Sequence, residues 1–352
     1  MKGNLTRVLA IVATAAGAAI LASCNGTSST PNNNGGNVPP PSRNSRVYVT
    51  DASGNLASNP NSPDRIDVFT ISSLFGGGSG VAPVQEIMSG SFSSAVGVAV
   101  DSSANIYIVD NSTASIQVFH NNASGTAVSP YRTITSTAMG KPAGIALDSA
   151  NNIYVTVPSG GSGSGAIVEF SASQSGSVTP IKEITGASTG LNQPFGITVH
   201  NNGNIFVTNN ASNTVEVFLS GANGNSTPAR VISGTASGLN SPWGIVVDPS
   251  GNIYVANFGS LSSPGTTITV YGPGASPTPI RTITGSNAGI IGPVGLALDA
   301  SQNLYVAMVG PPGSTSQATG EIAIFPPNAN GNVAPLASVG NVGFAAWGMA
   351  VY

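Results

Sequence analysis

The chain has 352 residues, of which only 7% are charged, with 10 Lys and Arg against 13 Asp and Glu. So thin a charge excludes a disordered acidic or basic tail protein, and the basic residues form no cluster able to hold a nucleic-acid backbone. Forty-five Gly and 25 Pro among 40% hydrophobic residues predict short strands joined by many turns, without long helices.

At the N-terminus, Lys2 and Arg7 precede an uncharged run from Val8 to Leu21. That run has the length of a secretory signal core and is too short for a comfortable helical span. It ends in Leu21-Ala22-Ser23-Cys24, which resembles the lipobox of bacterial lipoproteins. The resemblance implies cleavage before Cys24, a diacylglycerol on its thiol, and attachment to a membrane of the bacterial envelope outside the cytoplasm. Asn25 in place of Asp favours the outer membrane or cell surface over the inner membrane. Cys24 is the only cysteine, so no internal disulfide can form; the alternative is a buried free thiol. Residues 1–23 are thus expected to be a signal peptide. Residues 24–45, rich in Asn, Ser, Pro and Gly, are expected to be a lipidated flexible tether. Without the leader the chain keeps 8 basic and 13 acidic side chains, a balance of −5 that disfavours binding of the body as a whole to anionic headgroups.

From residue 46 onward one phrase recurs: AVGVAVDSSANIYIVD from Ala95, PAGIALDSANNIYVTV from Pro142, PFGITVHNNGNIFVTN from Pro194, PWGIVVDPSGNIYVAN from Pro242 and PVGLALDASQNLYVAM from Pro293. An aromatic residue follows each glycine by ten positions, and successive glycines lie 47, 52, 48, 51 and 53 residues apart when Gly348 is included. Each phrase predicts a hairpin: an apolar run, a polar turn, then an alternating β-branched and aromatic run. A third run ends in Phe69, Phe119, Phe170, Phe218, Tyr271 or Phe325, and a fourth follows a proline, as in PIRTITG from Pro279. About fifty residues with four antiparallel strands make one blade of a β-propeller. The segment from Arg46 to Met88 supplies second, third and fourth strands without a first, and the C-terminal AWGMAVY supplies a first strand without a partner. The two remnants complete one blade, so residues 46–352 are predicted to form an all-β, six-bladed propeller closed by pairing of the C-terminal strand with the N-terminal blade.

These phrases resemble the NHL-repeat family of propellers and, more broadly, the six-bladed group containing regucalcin-like gluconolactonases, virginiamycin B lyase and the amidating lyase domain. The resemblance implies the fold and leaves the activity open. In calcium-binding gluconolactonase relatives, Asn or Asp from the position before the repeat glycine helps hold the metal; here that ring reads Val96, Ala143, Phe195, Trp243, Val294, Trp347. No metal site of that kind, and no cofactor, is expected. A zinc-dependent amidating lyase needs several imidazoles, and this chain has only His120 and His200, both placed on the face opposite the ring. His200 replaces the turn aspartate found at Asp101, Asp148, Asp248 and Asp299, residues expected to cap hairpin turns.

The interval from second-strand to third-strand aromatic is 12 residues in two copies but 16 to 21 in the others, so the loops joining these strands vary on one face. Variable loops on a rigid scaffold are where binding usually resides. On that face the aromatic Phe195, Trp243 and Trp347 and the second-strand ends Asp51, Asp110, Asn209 and Asn257 are the candidate ligand-binding residues, suited to a protein, peptide or carbohydrate. The competing reading has the three aromatics packing between blades. A non-catalytic binding module is the leading expectation. The alternatives are a lactonase or lyase of the gluconolactonase-like group with an unconventional centre drawn from the same polar residues, or a spacer in an envelope assembly. Arg132, Lys182, Arg230 and Arg281 share one fourth-strand position and are expected to face water and limit outer-edge pairing.

Overall fold

The computed structural model describes residues 46–51, 64–76, 81–159, 165–260, 262–309, 320–340 and 346–352. The signal, lipidation and tether assignments, Cys24 included, lie outside the described residues. Six sheets carry the chain, each with four antiparallel strands in the order expected from the repeat, and one also takes in the short parallel strand Gly176–Ser177. Blade four is representative: Pro194–Val199, Ile205–Asn209, Thr214–Phe218 and Arg230–Ile232 pair in sequence. Every residue of its first two strands is buried, because each blade is covered on both faces by its neighbours and has no solvent face to alternate with.

The composite blade forms as predicted. Ala346–Val351 pairs antiparallel with Arg46–Asp51, with Val47 opposite Val351 and Thr50 opposite Gly348. Arg65–Thr70 and Gln85–Met88 complete this sheet. Arg46 and Tyr352 exchange two backbone hydrogen bonds of 2.9 Å at the end of the seam. First strands pack against one another in cyclic order, with the C-terminal strand touching both Ala95–Val100 and Pro293–Leu298. The ring is therefore closed by strand pairing between the two ends of the described body.

The outer edges are closed by a device that periodicity did not reveal. A glycine in the connection between third and fourth strands pairs in parallel with the fourth strand of the preceding blade: Gly125 with Ile87, Gly176 with Ile134, Gly224 with Ile184 and Gly331 with Ile283. At Gly224 the bridge is a hydrogen bond to the Glu183 carbonyl (2.7 Å) and one from the Thr185 N–H (3.0 Å). Three of the fourth-strand cations clasp the same connections. Arg132 donates to the carbonyls of Ala172 and Gln174, Arg230 to those of Gly272 (3.0 Å) and Ser276 (3.2 Å), and Arg281 to the Ala329 carbonyl and the Tyr254 hydroxyl. Lys182 instead pairs with Glu169 at 2.9 Å. The expectation of four water-facing edge charges is thus corrected. A guanidinium offers several donors in a fixed fork, and backbone carbonyls of the next blade lie within its reach.

Candidate functional site

The inner ring begins with a bulge. Pro194 faces Asn209 and Ile197 faces Val207, which leaves Phe195 and Gly196 opposite Thr208 alone. The same shift falls at Val96, Trp243, Val294 and Trp347, so the residue before the repeat glycine leaves the ladder in these blades. The glycine then admits the neighbouring first strand. A Cβ on Gly196 would lie 2.1 Å from the Trp243 carbonyl oxygen, and one on Gly244 would lie 2.5 Å from that of Val294.

Three second-strand threonines lock this approach. The Thr208 hydroxyl accepts from the Gly196 N–H at 2.9 Å and donates to the Trp243 carbonyl at 2.6 Å. Thr156 links Gly144 to Phe195 in the same way, and Thr50 links Gly348 to Val96 across the seam. In each case the bond accepted lies within the blade and the bond donated runs to the next blade.

Phe195 and Trp243 are 0% and 4% exposed, with ring centroids 5.5 Å apart. Trp243 stacks on Phe258 at 4.1 Å with only 6° between planes. Phe258 lies where Ile253–Gly259 runs on past the usual strand end, before the chain turns back into Pro264–Tyr271. The sequence reading did not single out Phe258. Its signal was the interval of 17 residues between Tyr254 and Tyr271, which lengthens the hairpin enough to bring a second aromatic over the tryptophan. The backbone of Trp347 belongs to the C-terminal strand, and its side chain lies outside the described residues.

Asp51, Asp110, Asn209 and Asn257 are all fully buried. Asp110 accepts four backbone N–H bonds: from Ser93 (2.7 Å) and Ser94 (3.1 Å) through one oxygen, and from Ser112 (3.0 Å) and Thr113 (2.9 Å) through the other. Asn209 accepts from the Asn192 N–H and donates to the Gly190 carbonyl, Thr214 and Glu216. Asn257 accepts from the Asn240 N–H and donates to Thr267 and Thr269. Asp51 forms an ion pair with Arg65 at 3.0 Å, and the same guanidinium binds Asp67 at 3.0 Å. These four residues sit in four different blades, and no described hydrogen bond joins Asp110, Asn209 and Asn257 to one another.

Their partners follow a rule across blades. Where the second strand ends in a polar residue, the third-strand residue two before the aromatic is polar too, as in the pairs Asp51 and Asp67, Asp110 and Gln117, Asn209 and Glu216, Asn257 and Thr269. Where it ends in Val157 or Met308, that third-strand residue is Val168 or Ala323. Matching is required because an unpaired polar atom at a buried site costs more than an apolar pair. Burial pushes the Asp67 carboxyl up to about 7, with the Asp51 charge adding to the rise and Arg65 opposing it. Burial likewise pushes Glu216 up to about 7 against hydrogen bonds from Thr214 and Asn209. Its Oε2 is buried with no hydrogen-bond partner, which favours the protonated acid.

On the opposite face the turn aspartates do what their position predicts. Asp299 accepts from the Asn303 N–H and side-chain amide at 2.8 Å each and from the Tyr305 hydroxyl at 3.2 Å. Asp101, Asp148 and Asp248 repeat the pattern with their own Asn and Tyr. In blade four His200 replaces the aspartate and Phe206 replaces the tyrosine, so the hydroxyl donor disappears with its acceptor. His200 keeps only the backbone turn, accepting from the Gly203 N–H at 2.7 Å and donating to the Asn204 carbonyl at 2.9 Å. His120 stacks on Tyr131 at 4.0 Å, also on this face. Among the described residues no three His, Cys, Asp or Glu side chains are grouped to hold a metal ion, and no helix is long and apolar enough to cross a membrane.

Fold and inner ring together define a six-bladed β-propeller. Residues 239–261 match the family model described as NHL repeat. No curated protein matches the chain in sequence. Among solved structures, a protein of unknown function from Bacteroides caccae is similar over 87% of this chain and 98% of its own, with a TM-score of 0.61 and 11% identity. A chain of the nidogen/laminin complex is similar over the same shares, with a TM-score of 0.53 and 16% identity. Virginiamycin B lyase from Staphylococcus aureus is similar over 66% of this chain and 72% of its own, with a TM-score of 0.43 and 14% identity. At these identities the likeness is one of fold.

Proposed function

We propose that this chain is a lipid-anchored propeller of the bacterial envelope, acting outside the cytoplasm as a non-catalytic module that binds a peptide, protein or carbohydrate on its variable-loop face. The observation that carries this reading is the use made of the loop-end polar groups. Asp110, Asn209 and Asn257 spend their oxygens on backbone N–H groups of the connections entering the first strands. A reacting centre needs carboxylates free to exchange protons with a substrate. What differs between blades on this face is loop length, the usual basis of recognition on a rigid scaffold.

Two measurements test it. Replacing Cys24 with Ala should abolish acyl labelling and release the chain from the membrane fraction; unchanged labelling would remove the anchor. Shortening the blade-five loop by replacing residues 260–263 with Asn-Gly should abolish capture of a peptide or glycan selected from an array by the parent protein, with the melting temperature nearly kept. Lactone hydrolysis or lyase activity lost in Asp51→Asn or Asp110→Asn would replace the binding reading with the enzymatic one.

A further inference from the structure

Exposed apolar side chains are not scattered over this molecule. Among the described residues eight large hydrophobic side chains are exposed, and five of them occupy one repeat position. They are Val84 (55%), Tyr131 (46%), Ile181 (48%), Ile280 (56%) and Leu336 (42%), each following the proline that leads into a fourth strand. Each is held by its own N–H, bonded to a third-strand carbonyl at 2.7 to 3.0 Å. The remaining blade has Ala229 at this position. One residue past the third-strand aromatic is its spatial neighbour: a Cβ on Gly272 would lie 3.7 Å from Ile280, and His120 stacks on Tyr131. Blade four places Leu219 at that neighbouring position, 58% exposed. All six blades therefore present an apolar group at the same level of the outer rim, on the hairpin side. None of these eight lies on the described residues of the variable loops.

We infer that this girdle is a lipid-contact surface, on which the disc rests with its hairpin side against the membrane and its variable loops outward. The inference rests on the proposed anchor for its setting, and two observations favour a lipid occupant. The described body begins at Arg46, bonded to Tyr352 where first strands end, so its first residue lies on the girdle side. The proposed tether of 22 residues, 24–45, can reach about 70 Å. Such a tether permits either orientation, and the chemistry of the two faces decides between them.

Charge is the second observation. Arg132, Arg230 and Arg281 stand one residue beyond the girdle position, and Arg46 begins the seam strand at the same level. None of the four belongs to a described ion pair, so their charges remain available to lipid phosphates while carbonyls hold their geometry. The connections 120–131, 171–181, 219–229, 272–280 and 326–336 contain no Asp, Glu, Lys or Arg. The hairpin aspartates on this side are engaged with their own turns. The four arginines are matched in number by the hairpin aspartates, but Asp101, Asp248 and Asp299 are buried, so the rim beside the girdle is apolar with a basic fringe. Shallow apolar contacts flanked by cations are the chemistry of an interfacial anchor.

The test uses the acylated full chain reconstituted in phosphatidylcholine vesicles with brominated acyl chains. A fluorophore is placed either on the hairpin side, at Ala275→Cys, or on the loop side, at Ser262→Cys. Emission from the first should fall roughly twofold or more and from the second should hold. Replacing Ile181, Ile280 and Leu336 with Ser should abolish the difference while the chain stays bound to the vesicles and its melting temperature is kept. Adding phosphatidylglycerol should strengthen the quenching. Equal quenching at both sites, or a triple variant like its parent, would overturn the inference. So would a dimer in solution that the triple variant converts to monomer, because the occupant would then be a second copy. The same readout from a chain held by a histidine tag in place of residues 1–24 on chelating lipids separates this outcome from a failure of acylation.

Discussion

At the hairpin end of the blades, Asp101, Asp148, Asp248 and Asp299 do one job four times. At the loop end, Asp51, Asp110, Asn209 and Asn257 also share a repeat position; Asp110, Asn209 and Asn257 each accept from the N–H seventeen residues upstream, yet their other partners differ. The first problem is local: a five-residue turn contains both the acceptor and its donors, so one solution serves every copy. The second is not. A loop-end side chain holds the connection arriving from the previous blade through one recurring backbone N–H, but most of its remaining bonds go to its own blade's second-to-third-strand loop and third strand, which differ between blades, so each blade needs its own set. Repetition marks what the fold demands; divergence marks where the fold leaves room.

The largest expected effect comes from breaking the ring where both ends meet. Deleting Ala346–Tyr352 removes a paired inner strand and exposes the edge of Arg46–Asp51, at a cost of roughly 5 kcal/mol or more. Calorimetry should show loss of a single cooperative transition. Next comes Gly196→Ala, whose new methyl would meet a backbone oxygen that cannot swing away. About 3 kcal/mol of destabilisation is expected from denaturant titration, against about 1 kcal/mol for Gly295→Ala, where the nearest atoms at 3.2 and 3.3 Å are side-chain carbons.

Asp110→Ala and Asp299→Ala compare the two ends directly. Four backbone N–H groups lose their acceptor in the first and one in the second, so about 3 kcal/mol against about 1.5 kcal/mol is expected. Equal losses in urea titrations would mean that the loop-end network is no more demanding than a turn.

Two carboxyls that burial raises, Asp67 and Glu216, stand near the loop end. Asp67 and Glu216 hold their protons up to about 7 in the folded chain, whereas unfolded carboxyls release them near pH ~4. Their contribution to stability is complete below the unfolded value and is lost as pH rises through about 7. The melting temperature should therefore fall between about pH 5 and about pH 8, and Glu216→Gln should flatten part of that slope. A smaller gain, at most about 1 kcal/mol, is expected from His200→Asp combined with Phe206→Tyr, which restores the turn network to the one described hairpin that lacks it. A double-mutant cycle would show whether either change helps alone.

Much of this protein could be read from its residues. The number of blades, the composite blade and its closing pair, and the aspartate turns all follow from spacing, because strand period, turn chemistry and repeat length act over a few residues. The candidate site was legible only as positions. Phe195 and Trp243 stand where the repeat puts them, but the bulge beside Gly196, the Phe258 ring over Trp243 and the engagement of Asp110 by two separate connections come from contacts across blades. Thr50, Thr156 and Thr208 could have been found, since each lies two residues after the second-strand aromatic.

What the residues determined by themselves was the architecture, since each repeat encodes its own hairpin and the two incomplete ends can satisfy only each other. The tertiary structure alone decided which polar and aromatic groups are consumed inside the body and which stand on its rim. Burial is a property of the assembled ring: a side chain's neighbours come from blades roughly fifty residues away, and no local pattern specifies their distance or their hydrogen-bonding needs.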